Sequence, residues 1–148
     1  MATTPTLVTP LTTQVKVNGM TDYSQLAGVS RMILADKTET ASGNSGVLAV
    51  PAGARQVEVL IDVIGTVSGT SPSLTVSYNV VMVDTSNPLA PMQLDTITSY
   101  SATALTAAGT ASIAKSNVLI GDYATISWTI TGTSPSFGGV YIKVIWKK

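Results

Sequence analysis

Two stretches decide how this chain folds: VSGTSPSLTVSY at residues 67–78 and ITGTSPSFGGVY at residues 130–141. Both contain Gly-Thr-Ser-Pro-Ser, and the copies stand 63 positions apart. In Ser71-Pro72-Ser73 and Ser134-Pro135-Ser136 the proline presets φ at about −65° for a type I or II turn, and Gly69 or Gly132 lets the chain enter it. The hydroxyls can satisfy loose backbone groups locally. Each copy therefore reads as the closed end of a β-hairpin. A phosphate cradle would need several glycines ahead of a helix and usually a lysine; the motif has neither.

The flanking residues support strands. Val57, Val59, Ile61 and Val63 alternate with Glu58, Leu60 and Asp62. Beyond the first copy, Leu74, Val76, Tyr78, Val80 and Met82 alternate with Thr75, Ser77, Asn79, Val81 and Val83. Period two marks a strand with one face inward, so the first copy should close one hairpin. The second should close another, between Ala124, Ile126, Trp128 and Ile130 and the returning Val140, Ile142, Val144 and Trp146. At the 63-residue offset, Ile61, Val63 and Val67 fall in phase with Ala124, Ile126 and Ile130, but after the motif Val76 meets Gly139 rather than Val140. One extra residue at Gly138-Gly139 restores the match and predicts a β-bulge there.

The remaining chain is less sharply patterned. Strands are expected at Gln14 to Val17 (closed by Asn18-Gly19), Arg31 to Ala35, Val47 to Val50, and near 94–101 and 110–115, with a helical turn at Tyr23 to Leu26 and loops at 40–46 and 84–93. About eight or nine strands with frequent turns predict an all-β fold, an antiparallel β-sandwich, and the uneven loops favour a jelly-roll form. Residues 14–148 read as that single domain. Residues 1–13, with Pro5 and Pro10 among threonines, read as an extended N-terminal arm. A frayed end would fit as well, but Leu7, Val8 and Leu11 are apolar residues that suit contact with a neighbouring subunit.

Composition narrows the function. The 148 residues include no cysteine and no histidine, which removes disulfides, thiolate metal sites, and the commonest general base and metal ligand. Eight basic residues balance eight acidic ones, at 11% charged, so no basic field is available to gather nucleic acid. Lys143, Lys147 and Lys148 at the C-terminus read as a solvated end. The longest apolar run, Val57 to Val67, is broken by Glu58 and Asp62 and falls short of the ~20 residues of a membrane helix. MATTPTLVTPLTT lacks the basic start and apolar centre of a signal peptide, so synthesis in a cytoplasm is expected.

The polar candidates do not assemble into chemistry. Glu58 and Asp62 share a strand face but lie roughly 13 Å apart, too far for a paired-carboxylate site. Asp84, Asp95 and Asp122 flank loops, where they serve as turn formers, or hold calcium if the loops converge. Tyr23, Tyr100, Tyr123 and Trp146 could stack sugars in a carbohydrate-binding sandwich, or fill a core or interface. Two aromatics side by side on an exposed, groove-lining face would favour the sugar. No catalytic, cofactor-binding or metal residue is assigned, and no enzyme activity is expected.

The succession VPAGARQVEVLIDV, VSGTSPSLTV and a late WTITGTSPSFGGVYI, over residues 47–148, resembles a group of small tailed-bacteriophage virion proteins with paired GTSP turns, of the capsid decoration, cement or head-fibre base type. The resemblance implies a structural protein without substrate or cofactor. It would sit on the outer capsid as a homotrimer, with the major capsid protein and itself as partners and no role for nucleic acid or membrane. A tail-fibre or baseplate component is the alternative, as is the carbohydrate-binding module.

Overall fold

The computed structural model describes residues 29–148 except 88 and 90. The expected arm at 1–13, the strand at 14–17, its turn, and the helical turn at 23–26 lie outside the described residues. Eight strands follow: β1 (Val29–Glu39), β2 (Gly43–Asn44), β3 (Leu48–Ala49), β4 (Gln56–Val63), β5 (Val67–Asp84), β6 (Met92–Ser101), β7 (Gly109–Ser116) and β8 (Tyr123–Lys147). They form one antiparallel sheet in the order β6-β5-β8-β4-β7, with β1, β2 and β3 also paired to β8. The all-β expectation holds.

The two hairpins do not. β4 pairs with β7 and β8, and β5 with β6 and β8. Neither Gly-Thr-Ser-Pro-Ser reverses the chain. Both lie inside long strands, and they face each other. Val67 pairs with Phe137 and Leu74 with Ile130; Ser68 pairs with Ser136 and Ser73 with Thr131; Thr70 pairs with Thr133. Adding the 63-residue offset maps this set of pairs onto itself, so the repeat is a local two-fold centred on Thr70 and Thr133.

The register shows why each copy needs the other. Between the paired positions, Ser71-Pro72 stands opposite Gly132 alone, and Ser134-Pro135 opposite Gly69 alone. These are reciprocal bulges, two residues against one. Ser71 (φ 52°) and Ser134 (φ 49°) adopt left-handed backbone. A proline, lacking its N–H, is tolerated in a strand mainly at an edge or a bulge; here each sits in one. Gly69 (φ 110°) and Gly132 (φ 120°) give way to the opposing Ser-Pro backbone. A side chain at Gly69 would begin 2.7 Å from the Ser134 carbonyl oxygen.

A further bulge lies at Gly138-Gly139, as the sequence phase predicts: against β1 the two glycines stand opposite Thr38 alone, since Lys37 pairs with Val140 and Glu39 with Phe137. On the other side of β8 the extra residue belongs to the opposing segment. Val63 pairs with Val140 and Val67 with Phe137, so Ile64, Gly65 and Thr66 face Gly138 and Gly139. Backbone bonds from Gly65 N to Gly138 O (2.9 Å) and Gly138 N to Thr66 O (2.9 Å) carry the pairing through the bend. β4 and β5 thus act as one bent strand running against β8.

The bends close the core. Tyr78 pairs with Ile126, and Trp146 lies roughly 20 residues farther along β8, about 66 Å if the strand were straight. Yet Trp146 Nε1 donates to Tyr78 Oη at 3.1 Å. The sheet therefore curls so that its two halves face each other. Val57, Val59, Ile61 and Val63 of β4, Leu74, Val76, Tyr78 and Val80 of β5, and Phe137, Val140, Ile142, Val144 and Trp146 of β8 are buried in one cluster. These are the residues the alternating pattern turned inward.

Tyr78 Oη also donates to Ile120 O at 2.9 Å, within the core. Burial pushes its pKa up to about 12 from 10.0. The unfolded chain loses this proton first, so stability is complete below pH 10 and falls as pH rises through 12, by roughly 3 kcal/mol in all. Tyr78→Phe should remove that alkaline loss. It should also cost about 2 kcal/mol at neutral pH, because the Ile120 carbonyl and the Trp146 indole N–H lose their partner. Urea unfolding of both proteins at pH 7 and 11 measures the two effects.

Candidate functional site

The carboxylates expected to be inert are dispersed. Glu58 forms a surface ion pair with Lys147 (3.3 Å), and Asp62 stands opposite Thr110 and Tyr141. Asp84 accepts from Ser86 N at 2.8 Å, and hydrogen bonds from Ser86 hold its carboxyl below the ordinary value. Asp95 accepts from Thr96 N at 2.8 Å. The Asp122 carbonyl accepts from Val50 N at 2.9 Å. Each bond organises its own loop or strand end. Among the described residues no three acidic, cysteine or histidine side chains gather into a metal-binding group.

The aromatic candidates separate too. Trp146 is 4% exposed and bonded inside the core. Tyr100 stacks on Tyr78 with ring centroids 6.5 Å apart, donates to Leu119 O at 2.9 Å, and has Lys115 Nζ 5.5 Å above its ring. Tyr123 is half-buried beside a shallow groove, and Tyr23 lies outside the described residues. Trp146 faces inward because it continues the buried period of Val140, Ile142 and Val144. Among these candidates, no two rings stand side by side on an exposed groove.

What the fold does place at the surface is apolar. Met82 (52%), Met92 (62%), Leu94 (57%), Ile97 (54%) and Leu119 (52%) are all exposed. The alternation of β5 put Met82 in the core, and two bulges explain why it is not there. β6 pairs Thr98 with Val80 and Thr96 with Val81, then Asp95 with Met82 and Gln93 with Val83. Ile97 and Leu94 are the extra residues. The first shift buries both Val80 and Val81, and Met82 is turned outward. Met82, Val83 and Ile97 then line one groove with Leu119, Asp122 and Tyr123.

Sequence reasoning missed this surface. Leu94 and Ile97 are three apart in LDTITSY, a spacing that breaks strand period and could have signalled a bulge. β6 is also a terminal strand of the sheet path. Edge strands are commonly blunted by charge. β1, which pairs only with β8, carries Arg31, Asp36, Lys37 and Glu39, whereas β6 carries Asp95 alone. Scattered single apolar residues on a surface need no explanation, but a contiguous group of them marks an interaction face.

Comparison of the chain with protein-family models, curated proteins and solved structures finds no match, and the apolar β6 surface is therefore the feature on which a functional reading rests.

Proposed function

We propose that this protein is a non-enzymatic contact subunit of a tailed-bacteriophage virion: a capsid decoration, or cement, protein that bridges neighbouring capsid subunits on the outer head. In this reading the curled sheet is a sandwich of the jelly-roll kind and the working unit is a homotrimer. The observation that carries it is the β6 surface. Its apolar side chains are interrupted by one charge, Asp95, whereas on β1 the exposed Val29 and Met32 stand among Arg31, Asp36, Lys37 and Glu39, and a chain with only 11% charged residues opposes self-contact weakly. A cement protein acts by burying surface across subunit boundaries. A specific contact of ordinary size takes about 800 Å² per partner, and repeated over a shell such contacts favour the bound, closed state by mass action.

Light scattering on the purified chain should give about three times 15.2 kDa, and the trimer should co-sediment with expanded heads that lack it. A protein that sediments alone at every concentration of heads would end the decoration reading.

A further inference from the structure

We infer that the β6 surface is the seat of the N-terminal segment, residues 7–17, of a second copy of this chain. The inference rests on the contact-subunit reading and names what its apolar surface holds. Three features of the molecule select this occupant.

The first is reach. Residues 18–28 join this segment to β1, and eleven residues can span at most about 37 Å when extended. A body of this size is roughly 35 Å across, so the link is long enough to pass from one protomer to another in contact with it.

The second is chemistry. Leu7, Val8, Leu11, Val15 and Val17 are apolar, and Lys16 is the one charged side chain among residues 1–21. The receiving surface has the matching character. Met82, Leu94, Ile97 and Leu119 are exposed, and three carboxylates accompany them, Asp84 at the end of β5, Asp95 on β6 and Asp122 in the groove, against one cation, Lys115, held over Tyr100 of β6. An apolar segment with one cation suits an apolar strip flanked by carboxylates.

The third is backbone. Among the described residues, β6 pairs on one side only, with β5. An extended segment can lie along such an edge while its side chains enter adjoining pockets. Pro10 is compatible with this, since a strand at the outer margin of a sheet can present the proline side to solvent.

The absence of cysteine makes the test direct. The full-length variants Leu11→Cys and Ile97→Cys, carrying tags of different size, are mixed and oxidised. A disulfide joining the two tagged chains is expected. Ile97→Asp, and separately Leu11→Asp, should lower the solution mass about threefold, to 15.2 kDa, with an unchanged thermal midpoint. Leu11→Asp covers the case in which Ile97→Asp disturbs the body.

The alternatives separate cleanly. An oligomer that survives both aspartate variants, with no disulfide, overturns this seat and leaves the contact-subunit reading standing. A wild-type chain that is monomeric overturns the exchange together with the trimer. In a chain carrying both Leu11→Cys and Ile97→Cys, a disulfide formed within the chain and never between chains shows that the segment docks on its own body and overturns the exchange alone.

Discussion

Gly69→Ala and Gly132→Ala are each expected to destabilise the protein by about 3 kcal/mol or more, and by nearly equal amounts. The expectation follows from the reciprocal bulges. A Cβ at Gly69 would stand 2.7 Å from Ser134 O, 2.8 Å from Pro135 Cα and 2.9 Å from Thr133 O. A Cβ at Gly132 would stand 2.8 Å from Ser71 O, 2.9 Å from Thr70 O and 3.0 Å from Pro72 Cα. Every one of these atoms is backbone, held by pairing on both sides of the bulge, so a neighbouring side chain cannot simply rotate away. The positive φ of both glycines adds strain for any residue with a Cβ. Gly46→Ala is the control: its φ is +74° but nothing lies within 4 Å of the added carbon. It should cost about 1 kcal/mol. Urea midpoints of the three variants test the two-fold. Tolerance at one motif glycine with intolerance at the other would refute it.

Phe137→Ala should cost about 3–5 kcal/mol, among the largest effects of any single truncation in this chain. Phe137 is 0% exposed and sits where β8 passes from one partner to the next. It pairs with Val67 of β5 and with Glu39 of β1, three residues before Val140 joins β4. Its ring fills the core beneath the bend. The bulge leaves the local backbone little freedom to collapse into a cavity, and the penalty rises with the volume left empty. Phe137→Leu, which retains most of that volume, should cost less than half as much. Equal losses in the two variants would show that the ring is not filling space at the bend.

Much of the fold was legible because strand alternation is a local signal. Val57 to Val63, Leu74 to Val80 and Val140 to Trp146 are buried as their period requires. The phase slip at Gly138-Gly139 located a bulge without any knowledge of its partner. The sequence offered no site residue to place: it has no histidine or cysteine, and its carboxylates are spread along the chain. Two readings failed, each for a non-local reason. Ser-Pro next to glycine has the same local preference in a β-turn as in a bulge, and only the opposing strand distinguishes them. Met82 kept perfect alternation with Val80, yet a register shift in β6 exposed it.

The amino-acid sequence alone determined which segments extend, which face of most of them is apolar, and where the phase slips after the second pentapeptide. Those properties come from side-chain shape and period, which each stretch carries by itself. Tertiary structure decided that the pentapeptides meet each other, that β4 and β5 form one bent strand against β8, and that Met82 joins Ile97 and Leu119 at the surface. Those outcomes depend on register, and register is set by which strand lies alongside. The Ser-Pro bulges arise between two strands, so neither copy of the pentapeptide encodes them alone.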